Sequence, residues 1–143
     1  MQFNRYFRNR ICTGKYLGIG WTHGENNTRH ASTYYFSFST NTWLQEADFT
    51  QYQTTQFGSS VAITTTYFLV ADYKGRGRGM LNAGCVYLYN YIGGTWSLVD
   101  TIASETPYDG QRFGYSIDIN ESYMRSVHFL IKLIVSISLI SII

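Results

Sequence analysis

Phe57-Gly58-Ser59-Ser60-Val61-Ala62-Ile63 opens a segment that ends on a second copy of the same pattern, Phe113-Gly114-Tyr115-Ser116-Ile117-Asp118-Ile119. The two Phe-Gly pairs are 113 − 57 = 56 residues apart, and Ile63 has the same spacing to Ile119. A pattern that recurs after about fifty residues is typical of proteins built from repeated structural units. The sequence therefore predicts a repeat architecture.

A second set of matching residues lies upstream of the first. Trp43 and Trp96 are 96 − 43 = 53 residues apart, and the same spacing pairs Ala31 with Gly84. The aromatic residues that share this spacing are Tyr34 with Tyr87, Phe36 with Tyr89 and Phe38 with Tyr91. The change from 53 to 56 indicates an insertion of three residues between the Trp and the next Phe-Gly. We expect one complete unit and parts of two others.

The composition favours β-structure. The chain has 143 residues, of which 45% are hydrophobic and 17% aromatic, with 13 Tyr, 13 Gly and a single Pro. Aromatic residues combined with glycine turns suit strands better than helices, and the length suits one domain. Charged residues make up 14% with a net charge of +2, and Arg76 and Arg78 are only a local basic pair. A nucleic-acid partner is therefore not expected.

Alternation of apolar and polar residues predicts the strands of each unit. Tyr34, Phe36 and Phe38 alternate with polar neighbours, which is the two-residue period of a strand with one apolar face. Gly93-Gly94 is expected to form a two-residue hairpin turn. The complete unit is predicted to contain four strands, at Val61 to Ile63, Phe68 to Ala71, Val86 to Tyr91 and Thr95 to Ile102. We expect an antiparallel four-stranded sheet.

These residues resemble a known family. The order Phe-Gly-x-Ser-Val-Ala-Ile from Phe57, Ala-Gly-x-Val-Tyr-x-Tyr from Ala83, Gly-Gly-x-Trp from Gly93 and Phe-Gly-Tyr-Ser-Ile from Phe113 is similar to the FG-GAP repeat. That repeat is the blade of the integrin-α-type β-propeller and of many cell-surface proteins. The resemblance is specific from Phe57 to Ile119, weaker from Ile11 to Phe57, and absent after Met124.

The resemblance implies that residues 1–124 form antiparallel four-stranded blades of a partial β-propeller, about two units in all. The residues that define the repeat are then Trp43, Phe57, Gly58, Gly84, Trp96, Phe113 and Gly114. The chain departs from the family where Val70-Ala71-Asp72-Tyr73 replaces Val-Gly-Ala-Pro and where the acidic calcium loop is missing. Calcium binding is therefore not carried over, and no cofactor is expected.

Residues 125–143 are predicted to be a separate apolar tail. The run from Val127 to Ile143 has 17 residues, against about 20 that a helix needs to cross a bilayer, and it contains Lys132. Three interpretations stay open at this point: a membrane segment or tail anchor, helical in form; a product of truncation, intron read-through or frameshift; and a strand or helix buried in an oligomer. An uncovered run rich in Val and Ile is expected to aggregate as strands.

Residue patterns that would support catalysis are weak. The spacing of His23, His30 and His128 matches no metal site, and we expect the first two to be solvated loop residues. The chain contains no Gly-x-x-x-x-Gly-Lys-Ser/Thr phosphate loop and no Gly-x-Ser-x-Gly elbow. Asp109 is expected in a turn and Asp118 at an outward strand position. The sequence thus predicts no catalytic, cofactor-binding or metal-binding residues.

Several residues receive structural interpretations. Trp43 and Trp96 are expected to pack in the core, because both repeats place a Trp there. Cys12 and Cys85 do not form a CxxC and are expected to be separate small apolar residues. N-glycosylation acceptor patterns begin at Asn26 and Asn120, although such triplets often occur by chance.

The function favoured by the resemblance is a non-enzymatic binding or adhesion module, at a membrane or on the extracellular surface, for a protein or carbohydrate ligand. One alternative is a propeller portion of an extracellular hydrolase or carbohydrate-binding protein; another is a truncated gene product without independent function. A closed propeller needs at least four blades, so further blades or further copies of the chain are expected to complete it. The N-terminal ten residues lack the apolar run of a secretory signal, which favours a cytosolic protein or an incomplete chain.

Overall fold

The structure is a computed structural model that describes residues 7–13, 16–21, 28–51, 56–119, 124–128 and 131–135, with side chains for residues 28–51 and 56–119. Every regular element in these ranges is a β-strand, so the prediction of an all-β fold is confirmed. The strands are β1 (Phe7–Thr13), β2 (Tyr16–Trp21), β3 (Arg29–Ser37), β4 (Thr42–Gln51), β5 (Phe57–Ile63), β6 (Tyr67–Asp72), β7 (Cys85–Ile92), β8 (Thr95–Ile102), β9 (Ser116–Ile119), β10 (Met124–His128) and β11 (Ile131–Val135).

The strands form three antiparallel sheets in chain order. The first sheet has the order β1-β2-β3-β4, the second β5-β6-β7-β8, and the third β9-β10-β11. Each strand pairs with the next strand along the chain, so every sheet is a simple meander. The four strands predicted for the complete unit are therefore confirmed as the second sheet.

The second sheet is buried on both faces. One apolar cluster contains Ala31 of the first sheet together with Phe57, Val61, Ile63, Phe68, Val70 and Tyr89 of the second, and Phe49 packs against it. The other contains Ala62, Leu69, Ala71, Val86 and Leu88 of the second sheet with Phe113 and Ile117 from the start of the third sheet and the loop before it. Successive strand residues point to opposite faces. This two-sided burial explains why consecutive residues of β5 and β6, such as Val61 to Ile63 and Phe68 to Ala71, are apolar.

Burial falls from the first strand of the second sheet to the last. All seven residues of β5 are buried, whereas no residue of β8 is. The strand β5 also contacts β1, β2 and β9, the nearest strands of the two neighbouring sheets. The sheets therefore meet along β5, and β8 forms an outer edge.

The hairpins of the first two sheets differ in length. Gly93 and Gly94, with φ of 62° and 85°, form the two-residue turn that was predicted. In the first sheet Ser37 pairs with Thr42, which leaves a four-residue loop. As a result Phe36 lies opposite Trp43, whereas Tyr91 lies opposite Trp96. The 53-residue spacing matches Phe36 with Tyr89, but in the structure Phe36 has the position in its sheet that Tyr91 has in the second sheet. The predicted equivalence is therefore off by two residues.

The position of Phe38 also differs from the prediction. The apolar alternation predicts Phe38 on the buried face of a strand, but β3 ends at Ser37 and Phe38 is 81% exposed in the loop. The longer hairpin is the physical reason, because the chain must begin to turn one residue earlier than the alternation suggests.

Part of the predicted tail is extended. The strand β10 pairs with β9, and β11 pairs with β10, so these two strands join the third sheet instead of forming a helix. The predicted boundary between residues 124 and 125 falls inside β10. Among the residues that the structure describes, no helix is long and apolar enough to cross a membrane. Residues 129, 130 and 136–143 lie outside the described part.

Candidate binding surface

The two Phe-Gly pairs have the same local structure. Phe57 and Phe113 are almost fully buried, at 0% and 1% exposure, and the glycines that follow have φ of 81° and 86°. Gly58 lies at an irregularity where β5 pairs with β6 between Phe57 and Ser60. A positive φ at this point is readily adopted only by glycine. Each pair therefore anchors a ring in the core and bends the chain at the same place.

Gly84 contacts the second Phe-Gly pair directly. The Phe113 amide donates to the Ala83 carbonyl at 2.7 Å, and a β-carbon on Gly84 would lie 2.1 Å from the Phe113 carbonyl oxygen. Gly114 is also enclosed, though less tightly, since its β-carbon would lie 2.9 Å from a methyl group of Val86. Three of the repeat-defining residues thus meet where the second and third sheets join.

Two loops beside the contact between Gly84 and Phe113 are hydrogen-bonded to each other. The first connects β6 to β7 and spans residues 73–84; the second connects β8 to β9 and spans residues 103–115. The Arg112 amide donates to the Asn82 carbonyl at 3.3 Å, and Asn82 Nδ2 donates to Asp109 Oδ1 at 3.1 Å. We call residues 73–84 and 103–115 together the loop surface.

The loop surface is held by its own backbone and by a buried carboxylate. Gly77 and Met80 exchange two backbone hydrogen bonds, which close a tight turn around Arg78 and Gly79. Beneath the loop, Asp72 is fully buried, and its Oδ1 accepts hydrogen bonds from the Gln56 amide at 3.0 Å and the Lys74 amide at 3.2 Å. These bonds fix where the loop leaves β6.

The loop surface exposes basic, aromatic and apolar side chains. Lys74, Arg76, Arg78 and Arg112 are all exposed, and Arg76 Nη1 donates to the Gly79 carbonyl at 3.2 Å. The Tyr73 and Tyr115 rings meet edge to face with centroids 5.2 Å apart, which links the two loops. Surface exposure of this kind suits binding of another molecule.

Comparison with known proteins identifies no family for the chain. No protein-family model matches the chain, and no curated protein matches it. The interpretation of the loop surface consequently rests on its own geometry and on the repeat.

The two repeat tryptophans have different environments. Trp96 is half-buried, packs against the cluster between the first and second sheets, and donates its Nε1–H to Glu46 Oε2 at 2.7 Å. Trp43 is 40% exposed and contacts Phe36, which in turn contacts Phe38. The prediction that Trp43 packs in the core is wrong. No described sheet covers that side of the first sheet.

A polar network on the first sheet was not predicted. Asp48 Oδ1 accepts a hydrogen bond from Ser32 at 2.6 Å, and Asp48 Oδ2 lies 3.2 Å from Nδ1 of His30, whose Nε2 lies 2.9 Å from Thr28 Oγ1. His30 therefore lies on β3 and not in a solvated loop, contrary to the prediction. The pairing of β3 with β4 brings these residues together, and the order of residues alone does not reveal that register.

Burial shifts the ionisation of three residues near the centre of the second sheet. It raises the pKa of the Cys85 thiol to about 11 and that of Tyr89 to about 12, and it also raises the pKa of Tyr87. Cys85 is buried and free of any disulfide. A protonated, enclosed thiol is a poor nucleophile, so Cys85 is a packing residue.

The remaining predicted residues are placed as follows. Asp109 lies in a turn with Gly110, whose φ is 79°, and Asp118 is exposed on β9, so both structural predictions are confirmed. Among residues 28–51 and 56–119, no group of three His, Cys, Asp or Glu side chains is arranged to hold a metal ion. Asn26, Asn120, His23, and the side chains of Cys12 and His128 lie outside the described part.

Proposed function

We propose that the chain is a portion of an FG-GAP-like β-propeller and acts as a non-enzymatic binding module. The observation that supports this architecture is the equivalence of the two Phe-Gly pairs. Each has a buried Phe, a left-handed Gly and a position at the junction between consecutive meander sheets. In a propeller each sheet buries its faces only against its neighbours, as the second sheet does here.

The proposed propeller is completed by further sheets. Three sheets are described, whereas a closed ring needs at least four. We propose that the rest comes from a longer chain or from further copies, at a membrane or on the extracellular surface. That location rests on the family resemblance.

We propose that the loop surface is where the module binds its ligand. The second sheet, which is packed on both faces, supports the two loops, and their backbones are hydrogen-bonded to each other. The exposed side chains of these loops include Arg76, Arg78 and Tyr115. Binding residues are often carried by loops on a rigid scaffold. The tight turn around Arg78 and Gly79 is exposed and is closed by the two backbone hydrogen bonds between Gly77 and Met80.

The test uses the full chain and intact cells. Fluorescently labelled protein is added to cells and compared with the Arg76→Gln/Arg78→Asn double variant, in which Asn is chosen because it tolerates the φ of 47° at position 78. We expect saturable binding that the double variant loses while its far-ultraviolet circular dichroism and its unfolding transition stay unchanged. Equal binding by both proteins contradicts the assignment of the loop surface.

A second candidate is a carbohydrate-binding portion of an extracellular hydrolase or lectin-like protein. The observation that favours it is the pair of exposed rings of Phe38 and Trp43 at the β3–β4 hairpin, both of which contact the half-buried Phe36. Such rings can stack on sugars. Binding to a glycan array that Trp43→Ala abolishes and Arg76→Gln/Arg78→Asn leaves intact supports this candidate over the first.

A further inference from the structure

Among the side chains that the structure describes, the basic ones are concentrated on the loop surface. In residues 28–51 and 56–119 there are five Lys or Arg side chains, and four of them, Lys74, Arg76, Arg78 and Arg112, lie on the loop surface. The same ranges contain seven Asp or Glu side chains, of which only Glu105 and Asp109 lie there. The loop surface is therefore positive, while the rest of the described part is mostly acidic.

These charges have no carboxylate partner within the described part. None of the four basic side chains of the loop surface lies within salt-bridge distance of a carboxylate there, and in those ranges the close contact between a basic side chain and a carboxylate joins His30 Nδ1 to Asp48 Oδ2 at 3.2 Å. Asp109 accepts a hydrogen bond from Asn82, and Arg76 donates to a backbone carbonyl, which leaves its charge unneutralised. Unpaired positive charge steers negatively charged molecules toward a surface.

Apolar groups lie among the charges. On the β6–β7 loop Met80 is 42% and Leu81 54% exposed; on the β8–β9 loop Tyr108 is 43% and Tyr115 50% exposed. A ligand that is only a string of anionic groups leaves these groups in contact with water. A ligand that combines carboxylates with apolar side chains satisfies both kinds of group, since aromatic and Met residues with Arg are enriched where proteins meet.

We propose that the loop surface binds an acidic protein segment that carries apolar side chains. The inference rests on the proposed function and names the partner class of the same surface. Backbone bonds hold the surface in shape before binding: Phe113 to Ala83, Arg112 to Asn82, and Gly77 to Met80. Little loop ordering then has to accompany binding, which favours affinity.

The probe is a fluorescein-labelled peptide with the sequence (Glu-Leu-Glu-Gly)₃, and the readout is fluorescence anisotropy with the full chain. We expect binding that weakens markedly between 50 and 300 mM NaCl, because ion pairs on an exposed surface are screened by salt. The Arg76→Gln/Arg78→Asn variant is expected to bind about two- to thirtyfold more weakly, from the loss of two exposed ion pairs.

A matched variant controls for net charge. Ser97→Glu/Thr101→Glu changes the net charge by the same two units on the exposed strand β8, and it is expected to bind as the unchanged protein does. A (Gln-Leu-Gln-Gly)₃ peptide tests the charge, a (Glu-Gly-Glu-Gly)₃ peptide tests the apolar groups, and heparin tests an anionic glycan.

The outcomes separate this inference from the proposed function. Equal affinity for the Gln peptide, or for the Glu-Gly peptide, overturns the acidic-apolar assignment. Binding to heparin that depends on Arg76 and Arg78, without binding to either acidic peptide, overturns the protein partner but leaves the loop surface as a binding surface. Binding to cells that depends on Arg76 and Arg78, without binding to either acidic peptide, likewise overturns the acidic protein partner and leaves the loop surface as a binding surface. Peptide binding that the loop variant and the β8 variant reduce equally overturns the proposed location.

Discussion

Because Gly84 has no side chain, the second sheet can pack closely against the chain segment that leads into the third sheet. Its φ is 86°, and a β-carbon there would lie 2.1 Å from the carbonyl oxygen and 2.6 Å from the amide nitrogen of Phe113. Both atoms belong to a backbone that is itself hydrogen-bonded to Ala83, so neither can easily move. The requirement at this position is therefore one of space as well as of backbone conformation.

We predict that Gly84→Ala destabilises the chain much more than Gly94→Ala. The two glycines have nearly the same φ, 86° and 85°, but nothing lies within 4 Å of a β-carbon placed on Gly94. The Gly94 variant should therefore cost only the left-handed conformation, about 1–2 kcal/mol. The Gly84 variant should lose at least ~3 kcal/mol more as the sheets separate. Urea unfolding of both proteins measures the difference, and equal costs contradict the close contact.

Cys85 predicts how stability changes in alkali. Its folded pKa of about 11 lies above the value of about 8.5 to 9 expected in the unfolded chain, so the folded state holds the thiol proton more tightly. The resulting stabilisation is fully present below about pH 8.5 and is lost as the pH rises toward 11. We expect the thiol to account for a loss of about 1.5 kcal/mol between pH 8 and pH 10.

Cys85→Ala is the control for this prediction. The variant keeps Tyr87 and Tyr89, whose raised pKa values lower stability at still higher pH by the same mechanism. The difference between the free energies of unfolding of the two proteins should therefore shrink from pH 8 to pH 10. A constant difference shows that the thiol titrates normally in the folded chain.

At the scale of elements, the β3–β4 and β7–β8 hairpins each form the last two strands of a four-stranded sheet, but their loops differ by two residues. That difference leaves each tryptophan opposite an aromatic residue, Phe36 for Trp43 and Tyr91 for Trp96. What distinguishes them is the neighbouring sheet: Glu46 of the first sheet accepts a hydrogen bond from Trp96, and no described sheet offers such a partner to Trp43.

We predict that Trp96→Phe destabilises the chain and Trp43→Phe does not. The first variant removes a hydrogen bond to a carboxylate, for which about 1–2 kcal/mol is expected. The second changes an exposed side chain, and its effect should stay below ~0.5 kcal/mol. Thermal unfolding of the two single variants gives the comparison. A similar loss in both means that Trp43 is also covered by a partner.

The elements show what could be predicted from the sequence. The strands of the second sheet and the Gly93–Gly94 turn were predictable because alternation, β-propensity and turn chemistry act within a few residues. The exposure of Trp43 was not predictable, since it depends on which sheet lies beside it. The contact between His30 and Asp48 depends on the register of β3 and β4, and that register follows from a four-residue loop that differs from the two-residue turn between β7 and β8.

At the scale of the whole molecule, the loop surface is a second feature that could not be predicted from the sequence. The paired loops were not predicted as a unit, although Arg76 and Arg78 stood out in the sequence. Asn82 and Asp109 are 27 residues apart, and only the docking of the third sheet on the second brings their loops together. Long-range packing, and not local pattern, assembles the candidate binding surface.

The second sheet contacts the first sheet and the third sheet through two different apolar clusters. We therefore predict that these two interfaces contribute independently to the free energy of unfolding. Phe57 belongs to the cluster on one face of the second sheet and Phe113 to the cluster on the other. Phe57→Leu and Phe113→Leu should each cost about 1–2 kcal/mol, because both remove part of a buried ring. Residues without shared partners give additive effects, so the double variant should lose the sum within ~0.5 kcal/mol. Denaturant unfolding of the four proteins completes the cycle, and a coupling above ~1 kcal/mol means that the clusters act as one.

Two-sided burial of the second sheet also has a consequence during synthesis. The first sheet leaves the ribosome early and can cover one face of the second as soon as β5 to β8 emerge. The other face, which includes Leu69, Val86 and Leu88, stays bare until Phe113 and Ile117 have been added. The nascent chain therefore passes through an interval in which a complete, paired sheet presents an apolar face to its surroundings, and binding of a chaperone to that face would be confined to this interval.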